Sequence, residues 1–188
     1  MVQTATYTME KFVQDVRDVF ASTGDPRAQA QAVAGYMKEL LKEPGWLEEK
    51  INLPPEEGYG RVDLHQDEEY GHPGPGFLLM CSVQHPGQDN WPHDHGSSWV
   101  VYGVYEGAIE QVKWGWVYDE GQWTTPRLER YQDYVEHNGD VAFFLPGEIH
   151  NTRNVNDGRS VVVRLEGQEL SRVPRHRYNP ETGEASLY

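Results

Sequence analysis

Past Glu43-Pro44-Gly45 the chain breaks into short β-prone segments separated by turn residues, and no helical repeat interrupts them. Segments over 76–84, 98–106, 108–118, 128–136, 140–145 and 160–166 are each bounded by Gly, Pro, Asn or Asp. A parallel sheet needs a crossover of a dozen or more residues, usually helical, between successive strands. With no such pattern present, an antiparallel barrel or sandwich is expected.

The first fifty residues differ. Met9, Phe12, Val13, Val16, Val19 and Phe20 recur at helical spacing, as do Val33, Tyr36, Met37, Leu40 and Leu41. Gly24 ends the first helix, Asp25 is placed to cap the second, and Pro26 stands where a missing N–H costs nothing. The expectation is one structural domain of 188 residues, with a helical cap over 1–50 and a β-barrel with a C-terminal tail over 51–188.

Charge narrows the function. With 16 basic and 30 acidic side chains the net charge is −14, whereas a nucleic-acid binder needs lysine and arginine to displace counterions from phosphate. The apolar run 77–81 is far shorter than the roughly 20 residues that cross a bilayer, so no membrane partner is expected. A single cysteine, Cys81, and an N-terminus without a leader pattern point to the cytoplasm. Cys81, in an apolar stretch, reads as an inert buried thiol.

Chemistry concentrates in Trp91-Pro92-His93-Asp94-His95-Gly96. In an extended segment residues two apart share a face, so His93 and His95 present imidazoles to one point while Asp94 turns away. Downstream, the turn Pro146-Gly147-Glu148 delivers His150, with Asn154 following in a polar loop. Three neutral imidazoles suit a first-row divalent ion with open positions, zinc included.

These residues resemble the two motifs of the cupin superfamily. The first, G-x5-H-x-H-x4-E-x6-G, falls on Gly87, His93, His95 and Gly107, with Val100 at the acidic position. The second, G-x5-P-x-G-x2-H-x3-N, falls on Gly139, Gly147, His150 and Asn154, with Leu145 at the proline position. Three histidines without the carboxylate resemble the thiol dioxygenases, the group of cysteine dioxygenase and 3-mercaptopropionate dioxygenase. Tyr59-Gly60-Arg61-Val62-Asp63-Leu64 is similar to that family's Tyr-x-Arg-x-x-Leu segment, whose arginine grips the substrate carboxylate.

The resemblance implies an all-β cupin barrel, a double-stranded β-helix or jelly roll, with the helical cap in front. It implies iron(II) on His93, His95 and His150, with nickel, manganese or zinc as ions a purified sample could carry. The partners implied are a small anionic thiol and dioxygen, giving a sulfinic acid, in a monomer or homodimer. Arg61, Trp99 and Tyr102 are the substrate-binding candidates. The family's Ser-x-His-x-Tyr network is absent: Val163, Leu165 and Gly167 fall at its positions in one register, Val162 and Arg164 in the other. Tyr178 is the candidate to replace its tyrosine, and no other catalytic residue is assigned. That loss keeps open a three-histidine dioxygenase cleaving carbon–carbon bonds of β-diketones, and a cupin that binds a small molecule without turnover. Asp94, Glu148, Asn154 or backbone carbonyls are available to orient the imidazoles. The remaining histidines, His72 among them, have no assigned role, and aromatics such as Trp114, Trp116 and Trp123 are expected to fill the barrel.

Overall fold

The computed structural model describes residues 7–51, 60–70, 76–118 and 126–188, so Tyr59, His72 and Trp123 lie outside the described residues. Helix α1 (Met9–Ser22) begins where the Thr8 side chain accepts the Lys11 N–H, and α2 (Pro26–Leu41) where Asp25 accepts that of Arg27. Among the described residues, no helix is long and apolar enough to cross a membrane.

Among the described residues ten strands follow: β1 (Gly60–Gln66), β2 (Leu78–Gln84), β3 (Val100–Glu106), β4 (Ala108–Val117), β5 (Arg127–His137), β6 (Val141–Phe144), β7 (Ile149–Asn154), β8 (Ser160–Glu166), β9 (His176–Tyr178) and β10 (Ala185–Leu187). All pairings are antiparallel. One sheet has the order β1-β2-β8-β3-β6 and the other β5-β4-β7. Residues 89–93 extend the second sheet beyond β7 through bridges Asp89 to Arg153 and His93 to His150. The facing sets β2-β8-β3-β6 and 89–93-β7-β4-β5 are those of a double-stranded β-helix, the cupin jelly roll with two helices ahead of it.

Two elements depart from the sequence expectation. Strand β1 was not anticipated, because Arg61, Asp63 and His65 break its apolar character; it is an edge strand that needs only one pairing, to β2. The stretch expected as a polar loop around Asn154 is β7, whose Asn and Thr side chains turn into the fold rather than to water. Asn154 donates its amide to the carbonyls of Gln84, His85 and Gly158 at 3.1, 2.9 and 3.0 Å, which fixes the loops at that end.

The large sheet is buried on both faces. Phe12, Val16, Val33, Met37 and Leu40 of the helices pack with Leu79, Cys81, Val101, Val163 and Leu165. The barrel interior holds Val100, Tyr102, Val104, Phe144 and Val162. Odd-numbered residues of β3 and β8 therefore face the helices and even-numbered ones the barrel, and β2 is buried along its whole length. At Gly103 a Cβ would stand 2.7 Å from Leu41 Cδ1 and 2.9 Å from Met37 Cγ, so glycine lets α2 approach β3.

This two-sided burial corrects the expectation for Trp99. Its indole shares the outward face with Val101, donates to Gln29 Oε1 at 2.9 Å, stacks on Phe20 and rests on Gly167. It cements the helical cap and does not face the histidines. Cys81 lies in the same layer, where burial pushes its thiol up to about 11.

Inside the barrel Gln111 of β4 donates to Glu136 of β5 at 2.9 Å, both side chains being buried. Burial, ahead of the nearby Asp140, pushes the Glu136 carboxyl up to about 7. The folded chain thus holds a proton that the unfolded chain releases near pH 4.5, and the stability this proton contributes is lost as pH rises toward 7. Glu136→Gln removes the dependence. Between pH 5.5 and 8 the variant should gain about 2 kcal/mol on the parent protein, measured by urea unfolding at each pH. A difference that does not move with pH would place the carboxyl's ionisation in its ordinary range.

Candidate metal centre

The site is built where the 89–94 segment meets β7. His93 N donates to His150 O at 2.9 Å and His150 N returns the bond to His93 O at 3.0 Å, a reciprocal antiparallel pair. Although His93 and His95 sit in a loop bridged only at His93, to His150 and Arg177, rather than in a strand, the alternation expected of the extended backbone holds. Both imidazoles face inward and Asp94 faces away. Asp94 accepts the N–H groups of Gly96 and His176 and the Tyr178 hydroxyl, the last at 2.5 Å. Gly96, at φ +58°, makes the turn that follows.

One nitrogen from each of His93, His95 and His150 lies within 4.8 Å of the others. The Trp91 carbonyl, which can only accept, takes the Nδ1–H of His93 at 2.8 Å. Gln111 Oε1 stands 3.0 Å from Nδ1 of His150, and its amide is oriented by Glu136. Both bonds leave Nε2 as the donor atom, the arrangement that metal-ligating imidazoles commonly show. The Nε2 atoms of His95 and His150 are 3.2 Å apart, against the roughly 3 to 3.5 Å spanned by two nitrogens on one divalent ion. Phe144 stacks on the His150 ring with centroids 3.7 Å apart and fixes its plane.

Burial holds all three imidazoles in the neutral form a metal requires. It pushes His93 down to about 4 and the other two well below the usual range, and the positive charge of Arg164 acts on all three in the same direction, joined by Arg175 at His93 and His95. Among the described residues no carboxylate belongs to the cluster. The donor set is therefore three neutral nitrogens on one side, suited to a divalent ion with its remaining positions open.

His93 and Tyr102 border a cavity of roughly 420 Å³ together with Arg61, Arg164, Arg175 and Arg177, while His95 and His150 lie fully buried behind them. The Tyr102 hydroxyl stands 3.2 Å from His95 Nε2 and 3.5 Å from His150 Nε2. Arg61 lines the cavity while its Nε bonds Asp63 at 2.7 Å. Tyr178, the candidate for the missing tyrosine, is corrected: its hydroxyl is spent on Asp94 and its ring packs on Trp116, away from the imidazoles. Glu148 accepts the Leu145 N–H and Asn154 the Asn156 N–H, so neither orients a histidine.

Gln111, Phe144 and Arg164 were not singled out as site residues from the sequence. Strand parity carries the signal for Arg164, because in 160–166 it shares the inward face with Val162. Gln111 has a weaker one, its parity in β4, two residues from the fully buried Ile109. The tail docks on the body through β9, while β10 stays exposed. Tyr178 N donates to Pro92 O at 2.8 Å and Asp94 N to His176 O at 3.0 Å, so β9 pairs along the free side of the histidine segment.

No family model and no curated protein matches the chain. Among solved structures it is similar to a Klebsiella pneumoniae protein described as an uncharacterized conserved protein with a double-stranded β-helix domain. That alignment is 16% identical, covers 74% of this chain and 86% of the other, and has a TM-score of 0.45. It is also similar to the cupin domain of Schizosaccharomyces pombe Cnp3, at 11% identity over 67% and 74% of the two chains and a TM-score of 0.47. A third similarity is to oxalate oxidase in complex with glycolate, at 20% identity over 62% of this chain and 53% of that one, with a TM-score of 0.43. The strand order itself makes this chain a cupin-type barrel, with three histidines positioned to bind a metal ion.

Proposed function

We propose that the protein is an iron(II)-dependent dioxygenase of the three-histidine type that converts a small anionic thiol to its sulfinic acid. The observation that carries this reading is a carboxylate-free histidine triad whose His93 borders an arginine-lined cavity. A divalent ion on three neutral ligands keeps its full charge, which favours anionic ligands such as a thiolate. Iron bound there would supply the centre at which thiolate sulfur and dioxygen meet.

The chain's own groups do the rest. Trp91 and Gln111 hold the imidazole nitrogens on target, and Phe144 keeps water from one side of His150. The Tyr102 hydroxyl, beside two of the three donor atoms, is placed to donate a hydrogen bond to a negatively charged atom arriving at the open side. The arginines supply the grip on the substrate's anionic end. That positive lining favours an anion over a neutral β-diketone as the substrate. A small-molecule substrate and dioxygen are the partners in this reading, in the cytoplasm, with neither nucleic acid nor membrane.

Anaerobic reconstitution should give about one iron per chain, and His150→Ala should lower both iron retention and oxygen uptake by about a hundredfold. Uptake is to be measured with cysteine, 3-mercaptopropionate, cysteamine and acetylacetone in turn. Consumption with an acidic thiol, and a sulfinate as product, is the expected result. Consumption with acetylacetone alone would move the activity to carbon–carbon cleavage, and none with iron bound would leave a binding role. Tyr102→Phe should keep its iron and lose about tenfold or more in kcat with little change in KM. An unchanged kcat would reduce Tyr102 to packing.

A further inference from the structure

We propose that the ligand of this cavity carries two negative charges in addition to the atom that faces the histidines. The class is a small dicarboxylate or phosphate monoester, and Arg175 and Arg177 take the second charge. The inference rests on the cavity being the ligand chamber of the metal site, as in the preceding reading, and specifies what enters it.

The argument is one of charge balance. A chain of net charge −14 gathers four guanidinium groups around one cavity, Arg61, Arg164, Arg175 and Arg177. Two have partners: Arg61 is paired with Asp63, and Arg164 with the buried carboxylate of Glu166. For Arg175 and Arg177, no carboxylate of the described residues lies within ion-pairing distance. Their guanidinium groups instead stand 3.8 and 4.0 Å from the ring centre of Tyr188. The carboxylate on the cavity wall, Asp89, accepts the Asn151 amide at 3.0 Å.

Neither arginine is a free surface group. Arg175 is half-buried with its Nε near the Leu170 carbonyl, and Arg177 lies on β9, bridged to His93 itself. Tyr188 stacks on both guanidinium groups and meets them with its hydroxyl, whose pKa their charges lower, but it brings no carboxylate between them. Two guanidinium groups held together without a carboxylate repel one another, and the metal adds two further positive charges a short way off. An acidic protein with many carboxylates to spare pairs none of its described ones with these two arginines, Asp89 on the wall being engaged by Asn151. A monoanion paired with the metal would leave this excess standing, whereas a ligand bearing two more charges cancels it and offers bidentate acceptors to both forks.

The test is calorimetric titration of the full chain at pH 8 with succinate, methyl phosphate and the monoanion butyrate. At least one dianion should bind about tenfold tighter than butyrate or better, and the tighter of the two names the source of the charge. Replacing both Arg175→Gln and Arg177→Gln should abolish that preference, and Arg175→Lys with Arg177→Lys should keep most of it. Should the glutamine pair fail to fold, the parent chain decides: the dianion's affinity should fall about twice as steeply with ionic strength as that of butyrate. Equal affinities, equal salt slopes, or a preference that survives in the glutamine pair would overturn the proposal. Arginine-dependent dianion binding without oxygen uptake from any thiol would support it while removing the oxidation chemistry.

Discussion

Two hydrogen bonds, exchanged between the backbones of His93 and His150, hold the site together. They bind a loop residue to a strand residue 57 positions away in sequence, as 150 − 93, and thereby bring the histidine pair of one motif against the histidine of the other. Everything else at the centre is arranged around that join. On one side β7 lies on β4, which supplies Gln111. On the other β9 pairs with the same three residues and brings Arg177. Because the backbone at this point is satisfied from both directions, the imidazoles are carried on a segment with little freedom to drift.

The large sheet performs a different task. Covered by helices outside and barrel inside, its inner strands β2, β8 and β3 have no wetted face and read as nearly continuous apolar runs where an open antiparallel sheet would alternate. This explains why the strand assignments over 76–84, 98–106 and 160–166 were easy and the roles of their residues were not. With alternation hidden, Trp99 and Tyr102 look equivalent in the sequence, three positions apart and both aromatic. The third strand places them on opposite faces, one under the helices and one at the metal site. Counting parity from Val101 and Tyr102 would have separated them, given knowledge that both faces are buried.

The site was legible in proportion to how local its chemistry is. His93 and His95 declare themselves by spacing, and His150 by the turn before it. The groups that orient them do not: Gln111 meets His150 only because β4 and β7 pair, and Trp91 contributes a carbonyl that no side-chain pattern reveals. Strand β7 went unseen for a related reason. Asn151, Thr152 and Asn154 are polar residues whose partners lie 62, 62 and 70 positions upstream at Asp89, Asn90 and Gln84. A tail of alternating basic and aromatic residues likewise resolves into a strand only when the edge of the histidine segment is there to receive it.

Cys81 sits with its sulfur between the helical pair and the sheet, among Leu79, Val163 and Val101. Alkylation by a soluble reagent requires a thiolate in contact with water, which the intact packing denies. The rate at which this thiol becomes labelled is then a clock for the helices lifting from the barrel. Because the thiol lies on the opposite face of the sheet from the histidines, the clock reads that opening without touching the centre it protects.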